Sequence, residues 1–451
     1  MAGIFKAYDI RGIYGENLDE EIARSVGLAF PAVLDASVLK SNRRVIVSRD
    51  MRSHSTPLAE ALIDGLTTAG LDVVDIGLAT TPMNYFAIGH LEAAGGIQVT
   101  ASHNPAQYNG LKMSLHGARP VSGDHGIPLL EKKVSAGDFD RAARRGVRSE
   151  SSVFDAYGKN VLSHLEPPRA TGDLKVAIDA ANGMGSIYTP LLDKLGIDII
   201  PLYFELDGTF PNHEANPLKY DNLRDLAATI TNHGADFGIS FDGDADRAAF
   251  VDETGTPVGS DLITGLIAGE LLRQTPGKHV LYDLRSSHSV PEYIQECGGI
   301  PVRERVGHSF MKATLRKKDG IFGGELAGHY YFRANYMADC ALLAVVEILN
   351  LLRRREVPFS DVVAPLERYA KSQEINFMVE DKQAKIAEIE RRYGDGELDY
   401  LDGITVEYPD WWFNVRPSNT EPYLRLVLEA ASEEALAEKR RELEGLLGTP
   451  V

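Results

Sequence analysis

Residues 95–105 read GGIQVTASHNP, and the rest of the chain is best interpreted by working outward from this stretch. Its first five residues predict a buried strand, which stops at Thr100 because Asn104 and Pro105 forbid its continuation. Ser102 therefore lies in a loop at a strand end. A serine hydroxyl is a poor nucleophile alone and needs neighbours that deprotonate it or load it with phosphate. Serine and asparagine are also common turn residues, so this loop alone leaves a structural role open.

The same order of elements occurs three times along the chain. An apolar strand at 44–49 is followed by a helix, a glycine and a second strand at 71–76. Strand–helix–strand units of the same kind recur at 175–202 and 278–302. Repeated units of this type predict three similar α/β domains with mixed, mainly parallel sheets.

Each repeat leads into an unusual polar loop. The strand before Ser102 is matched by apolar residues 237–241, which run into an aspartate cluster, and by residues 320–324, which run into Glu325. In open α/β sheets, ligands bind at the carboxyl ends of the strands. We therefore expect the three loops to face one cleft.

The domain boundaries follow from the repeat. Polar segments at 141–152 and 252–256 are interpreted as linkers, and after about residue 367 short strands and two charged helices predict a small α+β domain with an antiparallel sheet. The expected fold is three α/β domains plus this C-terminal domain around a central cleft. The predicted domains are 1–147 with the serine loop, 148–253 with the aspartate cluster, 254–367 with the Glu325 loop and 368–451 with an arginine-rich loop.

Composition excludes several classes of protein. Of the 451 residues, 44% are hydrophobic and 25% are charged, as in an ordinary soluble protein. The formal charge of −18 argues against nucleic acid and anionic membranes as partners, but small anions remain possible in a local basic cleft. Cys297 and Cys340 are the only cysteines, which fits a reducing cytosol. The start lacks the apolar core of a signal peptide, and the most apolar run, 341–352, is too short to span a bilayer. We therefore expect a cytoplasmic protein, monomeric or dimeric.

Residues 242–247, DGDADR, carry the second strong signal. Carboxylates at alternating positions, separated by small residues, aim Asp242, Asp244 and Asp246 at one hard cation such as Mg²⁺. A calcium EF-hand loop is disfavoured, because its sixth position requires glycine and this chain has Arg247 there. A phosphatase with an aspartate nucleophile and a solvated acidic turn are the other interpretations of this segment.

The loop GELAGH at 324–329 has groups that suit a sugar. Glu325 at a strand end can accept hydrogen bonds from vicinal hydroxyls. His329 adds a donor or a group that exchanges a proton. An isolated glutamate and histidine also occur often without such a role.

The segment RPSNTEPYLR at 416–425 has the composition of a phosphate clamp. The Arg416 guanidinium offers fork-like donors, while hydroxyl, amide and turn N–H groups complete the oxygen shell. A polar hairpin turn is the alternative. Together, a serine, a cation loop, a hydroxyl-binding carboxylate and a phosphate clamp predict phosphoryl transfer to or from a sugar.

These motifs resemble those of the α-D-phosphohexomutase superfamily, most closely its bacterial phosphomannomutase/phosphoglucomutase group. The resemblance covers essentially the whole chain. The matching motifs, in the family's order, are YDIRG at 8–12, TASHNP at 100–105, NGLK at 109–112, DGDADR at 242–247, GELAGH at 324–329 and RPSNTEPYLR at 416–425. The resemblance implies a phosphohexomutase that interconverts hexose 6-phosphate and hexose 1-phosphate, with mannose or glucose as the sugar. It also implies a 1,6-bisphosphate intermediate and activator.

Site residues follow from the same resemblance. Ser102 would be a phosphoserine, one oxygen of which joins Asp242, Asp244 and Asp246 in holding Mg²⁺. The other catalytic residues it implies are Arg11, Lys112, Arg247, His308 and His329. The substrate-binding residues it implies are Tyr8, His103, Arg247, Arg285, Gly307, His308, Glu325, Ala327, His329, Arg416, Ser418, Asn419, Thr420 and Arg425.

One departure from the family pattern affects substrate preference. The family commonly has serine where this chain has Ala327, so one hydroxyl contact to the sugar is missing and Glu325 carries more of the recognition. A phosphoglucosamine mutase is the alternative within the family. A metal-dependent sugar-phosphate hydrolase or a non-catalytic phosphosugar-binding protein are the alternatives from other classes. Because the clamp lies on the fourth domain, substrate is expected to rotate that domain about a hinge near 367–372.

Overall fold

The computed structural model describes residues 3–123, 126–140, 142–167, 174–418 and 423–451. The N-terminal part forms a mixed sheet with crossover helices. Its strands are β1 (Ile10–Ile13), β2 (Arg44–Arg49), β3 (Asp72–Leu78), β4 (Gly95–Val99), β5 (Tyr108–Leu115), β6 (Arg119–Pro120) and β7 (Arg148–Glu150). Its helices are α1 (Glu20–Ala29), α2 (Ala36–Leu39), α3 (Ser55–Thr68), α4 (Thr81–His90) and α5 (Ile127–Ala136).

The second and third repeats form sheets of their own. The second contains β8 (Leu174–Asp179), β9 (Ile197–Leu202), β10 (Phe237–Phe241), β11 (Ala248–Asp252) and β12 (Pro257–Val258), with α6 (Phe154–Leu162), α7 (Thr189–Leu192) and α8 (Arg224–His233). The third contains β13 (His279–Asp283), β14 (Ile300–Glu304), β15 (Phe322–Gly324), β16 (Tyr330–Phe332) and β17 (Ala338–Asp339), with α9 (Ser260–Gln274), α10 (Ser289–Glu296), α11 (His308–Lys317), α12 (Ala341–Arg355) and α13 (Phe359–Val363).

The three sheets share one strand order. The central orders are β3-β2-β4-β5, β9-β8-β10-β11 and β14-β13-β15-β16. In each sheet the first three strands run parallel and the last pairs antiparallel. The strands β4, β10 and β15 are therefore equivalent, and they are the strands that lead to Ser102, Asp242 and Glu325. This confirms the α/β repeat.

A continuous apolar core joins the three α/β domains. Its buried residues come from all three sheets, for example Ile46, Ile178 and Val280. Helix α12 crosses this core and is buried along nearly its whole length, as its apolar sequence predicts. None of the helices in the described ranges has the length and apolar composition needed to span a bilayer.

The C-terminal part is an antiparallel sheet with two helices and a separate core. Its strands are β18 (Ala370–Lys371), β19 (Ile375–Met378), β20 (Glu397–Asp399), β21 (Ile404–Glu407), β22 (Trp411–Pro417) and β23 (Tyr423–Ala430). Its helices are α14 (Lys382–Arg392) and α15 (Glu433–Leu447). The predicted α+β domain is confirmed, with an apolar core that includes Phe413 and Leu426.

Of the two segments interpreted as linkers and the one expected to be a hinge, two contain short strands and one is a hairpin turn. The segment 141–152 includes β7, which pairs with β3. Residues 252–256 form the turn of the β11–β12 hairpin, and the expected hinge 367–372 includes β18, which pairs with β23. These strands have two or three residues, too few for a hydrophobic period to appear in the sequence. The four domain ranges themselves stay a prediction.

Candidate active site

The serine loop begins where β4 ends at Val99. Thr100 Oγ1 accepts a hydrogen bond from the Ser102 backbone N–H at 2.9 Å, so the chain turns directly after the strand. Ser102 has φ of 52°, a left-handed conformation that a non-glycine residue adopts only when its surroundings hold it there. Its side chain is buried, at 1% exposure. The serine is thus held in one orientation inside the protein.

A buried arginine on a neighbouring loop holds the serine loop. Arg52 Nη2 donates to the carbonyl oxygens of Ser102 at 2.9 Å and Asn104 at 2.6 Å. Its Nη1 donates to those of Pro105 at 2.8 Å and Tyr108 at 3.0 Å. One guanidinium therefore fixes four carbonyl groups of the loop, which satisfies polar atoms that would be costly to leave unpaired.

The serine loop and the aspartate loop are in direct contact. The Ser102 hydroxyl donates to Asp242 Oδ2 at 2.7 Å. Asp242 Oδ1 accepts from the backbone N–H groups of Asp246 at 3.1 Å and Arg247 at 3.2 Å, which curls the aspartate loop. Gly243 is required between them, because a Cβ at that position would lie 2.3 Å from the Ser102 carbonyl oxygen. The ends of β4 and β10 therefore form one site.

The three aspartates are buried and lie close enough together to hold one cation. Lys112 Nζ donates to Asp244 Oδ2 at 2.7 Å and also to Asp246 Oδ2. Thr81, in the first turn of α4, donates its hydroxyl to Asp244 at 2.5 Å. Asp244 Oδ1 and Asp246 Oδ1 are buried acceptors that make no hydrogen bond among the described residues. The cluster thus has carboxylate oxygens left for a metal ion.

Burial and mutual repulsion set the charges of this cluster. Burial, with the Asp246 and Asp244 carboxylates, raises the pKa of Asp242 well above its ordinary value. Burial also acts to raise the pKa of Asp244, but the Lys112 ammonium outweighs it and lowers that pKa to about 2. The same carboxylates overcome burial and raise the pKa of Lys112 above its ordinary value. Three acids with one lysine make a site that a cation would complete.

A polar chain links the aspartate loop to the third domain. Arg247 Nε donates to His329 Nε2 at 2.7 Å, and His329 Nδ1 lies 3.0 Å from Asp339 Oδ2. Arginine is always a donor, so Nε2 has no proton here and Nδ1 donates to Asp339. Asp339 Oδ1 is 2.9 Å from Lys312 Nζ, and both residues are 1% exposed. Nε2 of His329, the nitrogen that faces Arg247, is therefore an acceptor.

His103, His308 and Tyr8 complete this side of the cleft. Burial lowers the pKa of His103 well below its ordinary value, and the charges of Arg247, Arg11 and Lys112 lower it further. Arg11 itself pairs with Asp9 at 2.5 Å and donates to Asn104 of the serine loop.

His308 begins α11. Its ring stacks near His329, with centroids 6.3 Å apart, and the Tyr8 ring meets it edge-on at 5.2 Å. Burial lowers the pKa of His308, whereas it raises that of Tyr8 to about 12. Both groups are thus neutral near pH 7.

Glu325 follows β15 and is 2% exposed. Its Oε1 accepts from the Gly307 N–H at 2.9 Å, and its Oε2 accepts from the Tyr331 hydroxyl at 2.5 Å. Gly307 has φ of 137° and packs against the Tyr8 ring, a place that a side chain would not fit. Ala327 lies half-buried in the turn between Glu325 and His329.

The predicted phosphate clamp and Arg285 converge on one carboxylate. Arg285 follows β13 and pairs with Asp283 at 2.7 Å. Arg285, Arg416 and Arg425 each contact Glu374, at 3.1, 2.8 and 3.2 Å. Ser418 donates its backbone N–H to the Tyr423 carbonyl at 2.9 Å. The predicted site residues Asn419 and Thr420 lie outside the described residues.

The structure brings the predicted residues together in two groups. The first surrounds Ser102 and contains Arg11, His103, Lys112, Asp242, Asp244, Asp246, Arg247, His308 and His329. The second lies at the junction of the third and fourth domains and contains Arg285, Arg416, Ser418 and Arg425, with Tyr8, Gly307, Glu325 and Ala327 between the groups. The sequence analysis missed Arg52, Lys312, Asp339 and Glu374. Their only signal was an isolated charge beside an apolar strand, a helix or a turn.

Comparison with known proteins agrees with this fold. Models of the phosphoglucomutase/phosphomannomutase α/β/α domains I, II and III match residues 2–141, 154–255 and 259–369. The model of the C-terminal domain of the same family matches residues 374–445.

Similar proteins match over nearly their full length. A protein named "Phosphohexose mutases" from Xanthomonas campestris pv. campestris (strain B100) is 40% identical, over 98% of each chain. A phosphomannomutase from Salmonella typhimurium (strain LT2) is 37% identical, over 97% of this chain and 96% of its own. The crystal structure of a phosphoglucomutase/phosphomannomutase family protein from Burkholderia thailandensis is 34% identical, with a TM-score of 0.88 over 99% of this chain and 98% of that one.

Fold and relatives together define a hexose-phosphate mutase, an isomerase of a family that acts on small phosphosugars. The chain belongs to the phosphoglucomutase/phosphomannomutase family.

Proposed function

We propose that the protein interconverts hexose 6-phosphate and hexose 1-phosphate, with mannose or glucose as the sugar, by way of a phosphoserine at Ser102 and a hexose 1,6-bisphosphate. The observation that carries this proposal is the 2.7 Å hydrogen bond from the Ser102 hydroxyl to Asp242, at the edge of a buried three-aspartate cluster. A serine in this setting has both a fixed orientation and neighbouring groups suited to phosphoryl transfer.

The residues of the cluster fit a Mg²⁺ ion. Asp242, Asp244 and Asp246 supply the hard oxygen ligands that Mg²⁺ prefers, and Asp244 Oδ1 and Asp246 Oδ1 are buried acceptors without hydrogen bonds among the described residues. A bound cation would favour the ionised form of all three carboxylates, and with Lys112 charged the group then has a net charge of about −2, which a divalent cation neutralises. A bound Mg²⁺ would supply Lewis-acid stabilisation of charge on a phosphoryl group.

Cationic side chains around Ser102 would orient and stabilise a transferring phosphoryl group. Lys112 and Arg247 approach from opposite domains, because Lys112 lies on β5 and Arg247 follows the aspartate loop. Arg52, through its hydrogen bonds to the carbonyl groups of the serine loop, keeps the Ser102 hydroxyl in place during transfer. Transfer of this kind relies mainly on positioning and on electrostatic stabilisation, which these residues supply without a further covalent step.

A proton must leave the sugar hydroxyl that receives the phosphoryl group. His329 Nε2 offers a lone pair on the third domain, and in the structure it accepts from Arg247 Nε. A sugar hydroxyl that replaces Arg247 at this nitrogen would donate to Nε2, while Nδ1 stays bonded to Asp339. His308, which stacks near His329, and Arg11, which donates to Asn104 of the serine loop, would stabilise charge on the reacting groups.

Sugar recognition would rest on Glu325 and on the junction of the third and fourth domains. Glu325 would accept from vicinal hydroxyls, and Arg416, Ser418 and Arg425 would hold the phosphate that is not reacting. Mannose and glucose differ only at C2, and discrimination requires a polar group dedicated to that hydroxyl. With Ala327 in the sugar loop, we propose that both sugars are accepted. Hexose 1,6-bisphosphate would serve as activator; the cytoplasmic location and a monomeric or dimeric state stay predictions.

A coupled assay tests this function. Magnesium-loaded protein would be given mannose 1-phosphate, glucose 1-phosphate or glucosamine 1-phosphate, each with a catalytic amount of the corresponding 1,6-bisphosphate, beside the variant Ser102→Ala. We expect conversion of the mannose and glucose compounds to 6-phosphates, lost in Ser102→Ala. A preference for glucosamine 1-phosphate would make the protein a phosphoglucosamine mutase, and release of free phosphate would make it a hydrolase. No product from any of the three compounds would indicate a binding role.

A further inference from the structure

One carboxylate occupies the centre of the predicted phosphate clamp. Glu374 lies between β18 and β19, and its Oε2 accepts hydrogen bonds from Arg285 Nη1 at 3.1 Å and Arg416 Nη2 at 2.8 Å. Its Oε1 is 3.2 Å from Arg425 Nη1. Arg285 belongs to the third domain, whereas the other two arginines belong to the fourth. Glu374 therefore joins the two domains through the same arginines that are assigned to substrate.

The charge state of this group supports a competing role for the carboxylate. Burial acts to raise the pKa of Glu374, but Arg285, Arg416 and Arg425 outweigh it and lower that pKa to about 2. Glu374 is thus an anion at all pH values near neutrality. Arg416 is 2% exposed, and its Nε is a buried donor that makes no hydrogen bond among the described residues. Arg416 therefore has a donor that the Glu374 carboxylate does not use.

We propose that Glu374 is an internal competitor for the substrate's phosphate. Its carboxylate gives up Arg416 and Arg425 when a phosphate binds and takes them back when the phosphate leaves. A phosphate dianion carries about twice the charge of a carboxylate and offers three oxygens, so it displaces Glu374 at the cost of part of its own binding energy. The clamp therefore binds phosphate more weakly than Arg416 and Arg425 would in the absence of Glu374.

This part of the inference rests on the proposed function, in which weaker binding of phosphate to the clamp helps the enzyme to turn over. A bisphosphate must leave the clamp and present its other end before the second transfer. Binding that holds ground state and transition state equally does not raise kcat, and tight binding slows release. An anion that recaptures the arginines shortens the time during which the clamp holds either end. Glu374 and Arg285 also lie on different domains, so domain opening would separate them.

Removal of the charge on Glu374 tests the competition. Dissociation constants for inorganic phosphate and glucose 6-phosphate would be measured by calorimetry in the Ser102→Ala background, with and without Glu374→Gln. We expect Glu374→Gln to bind both about tenfold more tightly. The matched control is Glu380→Gln, which removes the same charge from an exposed position of the same domain and should change binding less than about twofold. Unchanged or weaker binding in Glu374→Gln would overturn the proposal.

A crystal structure of the native chain with bound glucose 6-phosphate gives a second test, which does not depend on the folding of a variant. We expect the Glu374 carboxylate to have left hydrogen-bond distance of Arg416 and Arg425 while phosphate oxygens take its place. A carboxylate that stays on both arginines beside the bound phosphate would show that it positions them instead. Neither test needs turnover, so a failure of the mutase assay and a failure of this proposal are distinguishable.

Discussion

The Ser102 hydroxyl donates a hydrogen bond of 2.7 Å to Asp242, a residue 140 positions further along the chain. This contact exists because β4 and β10 are equivalent strands of two repeated sheets, and their carboxyl ends meet at one cleft. Gly243 allows the two backbones to approach where any side chain would collide with the Ser102 carbonyl. The nucleophile and the cation loop are thus parts of one site built by two domains.

Replacement of Arg52 by lysine should slow the chemical step. Arg52→Lys keeps the positive charge, but an ammonium has too few donors to hold four loop carbonyls in a planar fork. Displacement of Ser102 slows the chemical step but leaves the substrate contacts in place. We therefore expect kcat to fall about 100-fold while KM changes less than about threefold. Steady-state kinetics measure both constants. Arg49→Lys, in which the half-buried Arg49 donates to Thr56, is the matched control and should keep native kinetics; an unchanged kcat in Arg52→Lys would contradict this role of Arg52.

The buried pair of Asp339 and Lys312 predicts a large loss of stability. Asp339→Asn leaves the Lys312 ammonium without its counter-charge at 1% exposure, against the Tyr85 ring 3.8 Å from Nζ. We expect the free energy of unfolding to fall by about 3–5 kcal/mol, measured by urea denaturation. Adding Lys312→Met to that variant should restore most of the loss. Glu214→Gln, which breaks the exposed pair with Lys219, should cost less than about 1 kcal/mol. Equal losses at the two sites would refute this account.

Glu347, in the buried helix α12, makes the free energy of unfolding depend on pH. It is 4% exposed in α12, and burial, with the charge of Glu166, raises its pKa from 4.5 to about 7. The folded protein therefore binds a proton that the unfolded chain has lost between these pH values, so stability falls as pH rises through this window. Between pH 5 and pH 8 the loss is at most about 3 kcal/mol.

The variant Glu347→Gln should remove this slope. We expect its free energy of unfolding to exceed that of the native chain at pH 8 and to approach it at pH 5, in denaturation curves recorded across the range. Glu356→Gln, at the exposed end of the same helix, is the control and should keep the native slope. A native slope in Glu347→Gln would mean that Glu347 stays charged in the fold.

Much of the fold follows from the sequence because each α/β unit is a local pattern. Hydrophobic period and glycine punctuation predict a strand at 197–202 and helices at about 56–69 and 290–297, and the structure has them at 197–202, 55–68 and 289–296. The edge strands β7, β12 and β18 escape prediction, because two or three residues pair there through hydrogen bonds to a partner that sequence does not indicate. In the second repeat the sequence predicts a helix near 188–195, but the structure has a shorter one, Thr189–Leu192, after a 3₁₀ helix at Met184–Tyr188.

The site is predictable where chemistry is concentrated in a short motif. Residue type and spacing alone identify the aspartates of 242–247 and the serine of 100–105 as candidate site residues. Arg52, Asp339 and Glu374 act through contacts that span domains or distant loops, and no short-range pattern distinguishes them from surface charges. Their importance comes from burial and from the number of partners, which only the packed structure supplies.

The fourth domain should move toward the others when substrate binds. It has its own core, and its contacts with the third domain are largely polar, such as Arg303 with Glu407 at 2.9 Å and Lys371 with Asp261 at 2.5 Å. Polar contacts exchange partners more readily than a shared apolar core does. Small-angle scattering should show a smaller radius of gyration with a saturating, non-reacting bisphosphate analogue than without it. No compaction would count against closure.

The central claim is that Ser102 carries the phosphoryl group between substrates. The most direct measurement mixes the protein with hexose 1,6-bisphosphate radiolabelled in its phosphates, stops the reaction within milliseconds and locates the label by peptide mapping. We predict about one label per chain on the peptide that contains Ser102, followed by its loss to unlabelled hexose phosphate at a rate no slower than turnover. Label that appears only as free phosphate, or on a peptide without Ser102, would contradict the account.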